Sequence, residues 1–254
     1  MNIDEIDEQL NTLKSFQKFS DSDSIFLKDR KIFSEELGEP NLFDYIDQFG
    51  VYAGSQTIAS RLQAYEVVKL SIPVPGHIVE FGVWHGSNLL FMAKVLKLFQ
   101  PNTTKLVFGF DNFSGLPDAT SIDGKDAACL AGKYEGNEWV LRKAIKLHKL
   151  EEWVHLIKGD ATKTISSFEK SFPEAMISLA WVDFDLYEPC KSALDFLSRR
   201  LSVGGVIVLD EAISRLWPGE TIAMLEFLEN SGGSYRMEAN TIGRQPVMFL
   251  VKES

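Results

Sequence analysis

Acidic side chains close five successive apolar runs in this chain. Glu80 lies in IVEF, Asp111 follows LVFGF, Asp160 follows VHLIKG, Asp183 and Asp185 follow ISLAWV, and Asp210 with Glu211 follows VIVL. Carboxylates can accept hydrogen bonds from hydroxyl or amine groups, bind a hard cation or take up a proton. Five such ends in register would crowd like charges, which costs energy unless cations or donors use them. Asp183, Asp185, Asp210 and Glu211 form the denser group. Oxygen donors without Cys or His suit Mg²⁺, Mn²⁺ or Ca²⁺. The alternative is a hydrogen-bonded acidic cluster in which one carboxyl keeps its proton.

The other chemistry-bearing stretch is IVEFGVWHGSN, residues 78–88. It reads as a buried strand, a turn holding Gly82 and Gly86, and a helix start. Glycine lets the backbone approach a ligand closely, and the free N–H groups of the helix start face its anionic end. Asp111 stands where dinucleotide folds place a ribose-binding acid. Asp160 could meet an adenine amine. Either could equally cap a helix, a position that suits Asp. Among the scattered histidines His77, His85, His148 and His155, His85 lies inside the glycine turn. The chain has no GxSxG elbow, Walker lysine motif, CxxC pair or GxGxxG turn.

These residues need a scaffold that brings strand ends together. Helical spacing is expected over 56–70, 88–99, 138–150, 164–171, 191–200 and 220–230. Strands are expected at 78–81, 106–110, 154–157, 177–182 and 206–209, and a closing pair at 235–239 and 247–251. This alternation predicts an α/β, doubly wound, mostly parallel sheet with an antiparallel C-terminal hairpin. Such sheets bind ligands at the carboxyl ends of their strands. The polar stretch 118–137 exceeds an ordinary βα loop and is expected to cover the site. Ile3, Ile6, Leu10, Leu13 and Phe16 predict an amphipathic helix. The division expected is a helical extension over 1–55, serving as lid or oligomer contact, and a catalytic domain over 56–254.

Of the 254 residues, 45% are hydrophobic and 24% charged, with a net charge of -10. That balance suits a soluble globular protein and argues against a nucleic-acid partner, which needs clustered Lys and Arg. No apolar run approaches the roughly 18 residues of a membrane span. Two cysteines and an acidic N-terminus lead to the expectation of a cytoplasmic protein.

Five motifs in order carry a family resemblance: PGHIVEFGVWHGSN, FDNFSGLP, WVDFDLYEP, LSVGGVIVLDE and WPGET. Together the chain resembles the class I, S-adenosylmethionine (SAM)-dependent methyltransferases. More closely it resembles the macrocin O-methyltransferase (TylF/MycF-like) family of sugar O-methyltransferases. WPGET is most similar to a calicheamicin-type subgroup.

The resemblance implies that Glu80, Gly82, Trp84, Gly86 and Ser87 shape the methionine pocket. It implies that Asp111 holds the ribose and Asp160 faces the adenine, with Phe113, Ala161 and Asp183 also at the cofactor. Asp183, Asp210 and Glu211 would hold a divalent metal, most simply Mg²⁺. Glu211 departs from the second aspartate of many relatives. Asp185 would stand beside them as a supporting group, a further ligand or a proton acceptor, and it, or else His85, would take the proton from a metal-bound sugar hydroxyl that attacks the sulfonium methyl. The acceptor implied is a small molecule bearing a sugar, and the protein is expected to be a homo-oligomer. A catechol acceptor follows the same metal logic. A nicotinamide-dependent oxidoreductase on a related fold and a non-catalytic, cofactor-sensing protein are the readings from other classes.

Overall fold

The computed structural model describes residues 42–254, together with 24–25, 28–29, 31–32, 35 and 38. The helix expected over residues 3–16 lies outside them, as does much of the aromatic-rich segment ahead of residue 42. The chain divides into two compact units, Met1–Ala53 and Gly54–Ser254. In the first, short helices span Leu42–Asp47 and Phe49–Tyr52.

The second unit opens with α1 (Ser55–Ser71), which ends ahead of Pro73 and Pro75. Then come β1 (His77–Phe81), α2 (Ser87–Phe99), β2 (Val107–Asp111) and, after a long connection, α3 (Glu138–Leu147). β3 (Val154–Lys158), α4 (Ala161–Ser171), β4 (Ile177–Val182), α5 (Tyr187–Arg200) and β5 (Leu201–Leu209) follow. α6 (Pro218–Asn230), β6 (Tyr235–Ala239) and β7 (Met248–Lys252) close the chain. The sheet order is β3-β2-β1-β4-β5-β7-β6. β1 to β5 pair in parallel, and β7 runs antiparallel to both β5 and β6. This is the doubly wound sheet with the terminal hairpin that the strand pattern predicts. The order reverses between β1 and β4, the switch point at which such sheets form a ligand crevice.

Alternation along the strands divides the core. Val79, Phe81, Ala180, Val182, Ile207 and Leu209 face a layer built by Ile165 and Phe168 of α4, Phe196 and Leu197 of α5 and Phe227 of α6. Ile78, Leu179, Trp181, Val206 and Val208 face Val67 and Val68 of α1, Leu89, Met92 and Leu96 of α2, and Leu141 of α3. Period-two side chains explain the split. Both faces are covered, which is why β4 is buried along its whole length.

Several boundaries differ from the sequence pattern. β5 starts at Leu201, because SVGG bends within the strand rather than before it, Gly204 taking φ +82. α5 begins four residues early, at Tyr187, since Pro189 sits in its first turn, where no helical N–H partner is required. α4 begins at Ala161, directly behind its cap Asp160. α3 ends at Leu147, two residues before Lys149 at φ +53, a left-handed stop.

Candidate active site

A cavity of about 810 Å³ lies at the carboxyl ends of the parallel strands. Each strand end contributes to its wall: Gly82 and Trp84 after β1, Asp111 at β2, Asp160 to Thr162 after β3, Asp183 to Leu186 after β4, and Asp210 with Glu211 after β5. Gly159, residues of the 112–134 segment, Glu188, Pro189 and Trp217 complete it.

The glycine turn is fixed from two sides. Gly82 has φ +93, and a Cβ there would stand 1.8 Å from the Asp183 carbonyl oxygen, so the turn lies against the tip of β4. Gly86 takes φ +77 as the cap of α2. Asp111 holds the turn from β2. Its Oδ2 accepts the N–H groups of Val83 and Trp84, both at 2.7 Å, and its Oδ1 accepts the Phe113 N–H at 2.6 Å. Trp84 leaves the turn with φ +48, half-exposed, with its ring edge-on to Tyr134 across 6.0 Å.

Asp160 caps α4, accepting from the Thr162 N–H at 3.0 Å and its hydroxyl at 2.7 Å. Those bonds, with Lys163 at 3.0 Å, hold its carboxyl below the usual range. Capping and lining the cavity are therefore joint properties of one residue. Ala161 lines the wall beside it.

Glu80, His85, Gly86, Ser87 and Phe113 are not part of the cavity wall. Glu80 shares the face of Ile78, toward α1 and α2. It is buried and accepts from Asn88 Nδ2 at 2.9 Å, and its Oε2 is buried with no hydrogen-bond partner. Burial pushes its carboxyl up to about 8, opposed by the Asn88 hydrogen bond and the Arg61 charge. Ser87 is exposed and accepts from Arg61 Nη1 at 3.4 Å. His85 is exposed, its ring 4.4 Å from that of Trp84. Phe113 is buried in the core under the turn, at φ +58.

The acids of β4 and β5 do converge. Burial, then Asp210 and Asp185, holds the Asp183 carboxyl well above the usual range. Asp185, at φ +63, is pushed up to about 7 by burial, then by Glu211 and Asp210. Burial also raises Asp210, opposed by hydrogen bonds from Gln245 and Trp181, and raises Glu211, opposed by Ser214. The donor set is all carboxylate oxygen and highly charged, which fits a hard cation. Even so, among the described residues no group of three or more His, Cys, Asp or Glu side chains is arranged to hold a metal ion. Gln245 instead bridges Asp210 and Glu211, its Nε2 donating at 2.8 and 2.6 Å.

Four contributors stand apart from the residues that sequence reasoning selects. Arg61 of α1 lies over the Phe91 ring at 5.4 Å; burial lowers its pKa, opposed by the charges of Glu80 and Asp210. Glu220 is fully buried, and its Oε1 accepts the Glu211 N–H at 2.8 Å. Asp123 is buried inside the 118–137 connection. Its Oδ1 accepts the Tyr187 N–H at 2.6 Å and its Oδ2 accepts from Thr120 N and Oγ1 at 2.7 Å. Gln245 is the fourth. WPGET carried a signal for Glu220; the others depend on partners distant in the chain.

The family model described as Macrocin-O-methyltransferase (TylF) matches residues 51–237. The chain is 29% identical over 148 residues to 8-demethyl-8-(2,3-dimethoxy-alpha-L-rhamnosyl)-tetracenomycin-C 4'-O-methyltransferase of Streptomyces olivaceus, covering 54% of this chain and 53% of that protein. It is 28% identical over 145 residues to demethyldecarbamoylnovobiocin O-methyltransferase of Streptomyces niveus, with the same coverages of 54% and 53%. The chain spans about half the length of these curated relatives. A crystal structure of a calicheamicin methyltransferase superposes with a TM-score of 0.75 at 25% identity, over 85% of this chain and 87% of that one. The O-methyltransferase NovP shares the fold, with a TM-score of 0.64 at 23% identity over 78% and 80% of the two chains.

Proposed function

The chain belongs to the macrocin O-methyltransferase family, and from that premise we propose that it transfers the methyl group of SAM to a sugar hydroxyl of a natural product or nucleotide-sugar. The observation that carries this reading is the two-ended cavity. One end is the glycine turn with Trp84, Asp111 and Asp160; the other is the cluster of acids at the tips of β4 and β5. The turn, Asp111 and Asp160 would hold SAM at the first end, and the methyl group it supplies would be used at the second. The tetracenomycin relative is named for methyl transfer to an oxygen of a rhamnosyl-bearing compound, and the novobiocin relative for O-methyl transfer.

In the reaction the acceptor oxygen forms a bond to the methyl carbon while the carbon–sulfur bond breaks. The electron pair stays on sulfur, giving S-adenosylhomocysteine, and the hydroxyl proton passes to a base. Asp185 is that base. It lines the cavity, and a carboxyl raised to about 7 exchanges protons near neutrality. Asp183, Asp210 and Glu211 would hold a divalent cation, whose charge would lower the pKa of the hydroxyl. Tyr134, Trp84 and Trp217 supply apolar wall that excludes water. No helix among the described residues is long and apolar enough to cross a membrane.

Calorimetry with SAM and with NAD, followed by transfer of a labelled methyl group to a panel of nucleotide-sugars, glycosides and catechols, tests the reading. Binding of SAM and label on a sugar are expected. Binding of NAD alone would overturn it, and label on catechols alone would move the acceptor class.

A further inference from the structure

Gln245 stands between the two acids that close β5. An amide nitrogen carries two donors, and here one goes to Asp210 Oδ2 at 2.8 Å and the other to Glu211 Oε1 at 2.6 Å. The carboxamide is delivered from outside the strand. The neighbouring Pro246 carbonyl accepts from Gln63 Nε2 of α1 at 2.9 Å and from Asn240 Nδ2 at 2.8 Å. The connection between β6 and β7 is thereby fastened to α1, and its side chain reaches the rim of the cavity.

A neutral amide satisfies carboxylate lone pairs but leaves two like charges side by side. A divalent cation would satisfy the same oxygens and offset their charge as well. The amide nitrogen already lies within bonding distance of an oxygen from each acid, so a cation shared by those two oxygens needs the same space.

We infer that Gln245 is a placeholder: its carboxamide holds Asp210 and Glu211 together in the metal-free protein and withdraws when a divalent cation binds. The inference rests on the reading of these acids as cation ligands. It makes Gln245 a positioning residue that competes with the cation.

Calorimetric titration of the full chain with Mn²⁺, in the absence of donor and acceptor, tests this. The variants are Gln245→Ala and Gln245→Met, the second keeping side-chain length without hydrogen bonds, with Asp210→Asn as a control. Both Gln245 variants should bind Mn²⁺ about tenfold more tightly than the wild type, the scale of hydrogen bonds to charged groups that no longer have to be broken. Both should also melt lower without metal and regain more on adding it. Unchanged affinity would overturn the inference, and weaker affinity would make Gln245 a ligand through its carbonyl oxygen instead. If the wild type and both variants take up no Mn²⁺, or Asp210→Asn binds it like the wild type, the cation reading of these acids fails first and the placeholder role falls with it.

Discussion

Asp111 at the end of β2 accepts the backbone N–H of Trp84 at 2.7 Å, tying one strand's tip to the turn that follows its neighbour. The same carboxylate accepts from Val83 and Phe113. Trp84 and Phe113 both have positive φ, and each such non-glycine residue stores about 1–3 kcal/mol that the surroundings must offset. Asp111 thus acts first on the shape of the turn. Asp111→Ala is expected to weaken SAM binding by roughly 10–100-fold, the equivalent of one or two hydrogen bonds to a charged group. Asp111→Asn, which keeps one acceptor oxygen, should lose less. Calorimetry with SAM checks both, and equal loss in the two variants would point to a charge contact with the ligand instead.

Glu80 gives the protein a pH dependence whose sign can be worked out. Its carboxyl is raised from 4.5 to about 8 in the folded state, chiefly by burial. Between those values the folded state keeps a proton that the unfolded chain has released, so stability falls as pH rises through that window. The partnerless Oε2 is consistent with carrying that proton. Glu80→Gln mimics the protonated form. Its melting temperature should lie close to the wild type near pH 5 and exceed it increasingly toward pH 8. Parallel melting curves from pH 5 to 9 would show that Glu80 is ionised in the fold.

The strands were legible because IVEF, LVFGF and ISLAWV are buried on both faces, and such strands read as unbroken apolar runs. The convergence of Asp183, Asp185, Asp210 and Glu211 followed from β4 and β5 being neighbours. The supports of those acids were hidden. Asp123 meets Tyr187 across 64 positions, and Gln245 meets Asp210 across 35. Neither pairing leaves a periodic trace, since a loop side chain has no face to repeat. Asp160 was readable as either cap or ligand because one carboxylate can do both from the same place. The placement of His85 depends on the direction of the turn, which glycine dihedrals set and residue types do not.

Asp123 pins the long connection over the cavity. It is buried in the wall and joins Thr120 to the first turn of α5 through three hydrogen bonds. Removing it leaves the Tyr187 N–H buried without that acceptor, at a cost of about 1–3 kcal/mol. Asp123→Ala should raise the KM for the acceptor more than it lowers kcat. Amide exchange in residues 118–134 should quicken while that of β1 and β4 stays slow. A variant with unchanged exchange there would show that the connection is held by its apolar contacts around Trp217.

Asp185 is expected to carry the proton transfer, and a role in chemistry separates from a role in binding by kinetics. Asp185→Asn keeps the shape and hydrogen-bonding reach of the side chain but cannot take up a proton. It should lower kcat by about 10²–10⁴-fold, the range for loss of a general base, while the affinity for SAM stays near that of the wild type. In the wild type the base must be ionised, so activity should fall as pH drops through its pKa, which is about 7 without a cation and would be lower with one held by Glu211 and Asp210. That limb should vanish in the variant. Asn also tolerates the left-handed backbone at this position, so the substitution adds little strain. A variant that keeps both its rate and its acid limb would transfer the role to another group at the rim and leave Asp185 as a support for its neighbours Glu211 and Asp210.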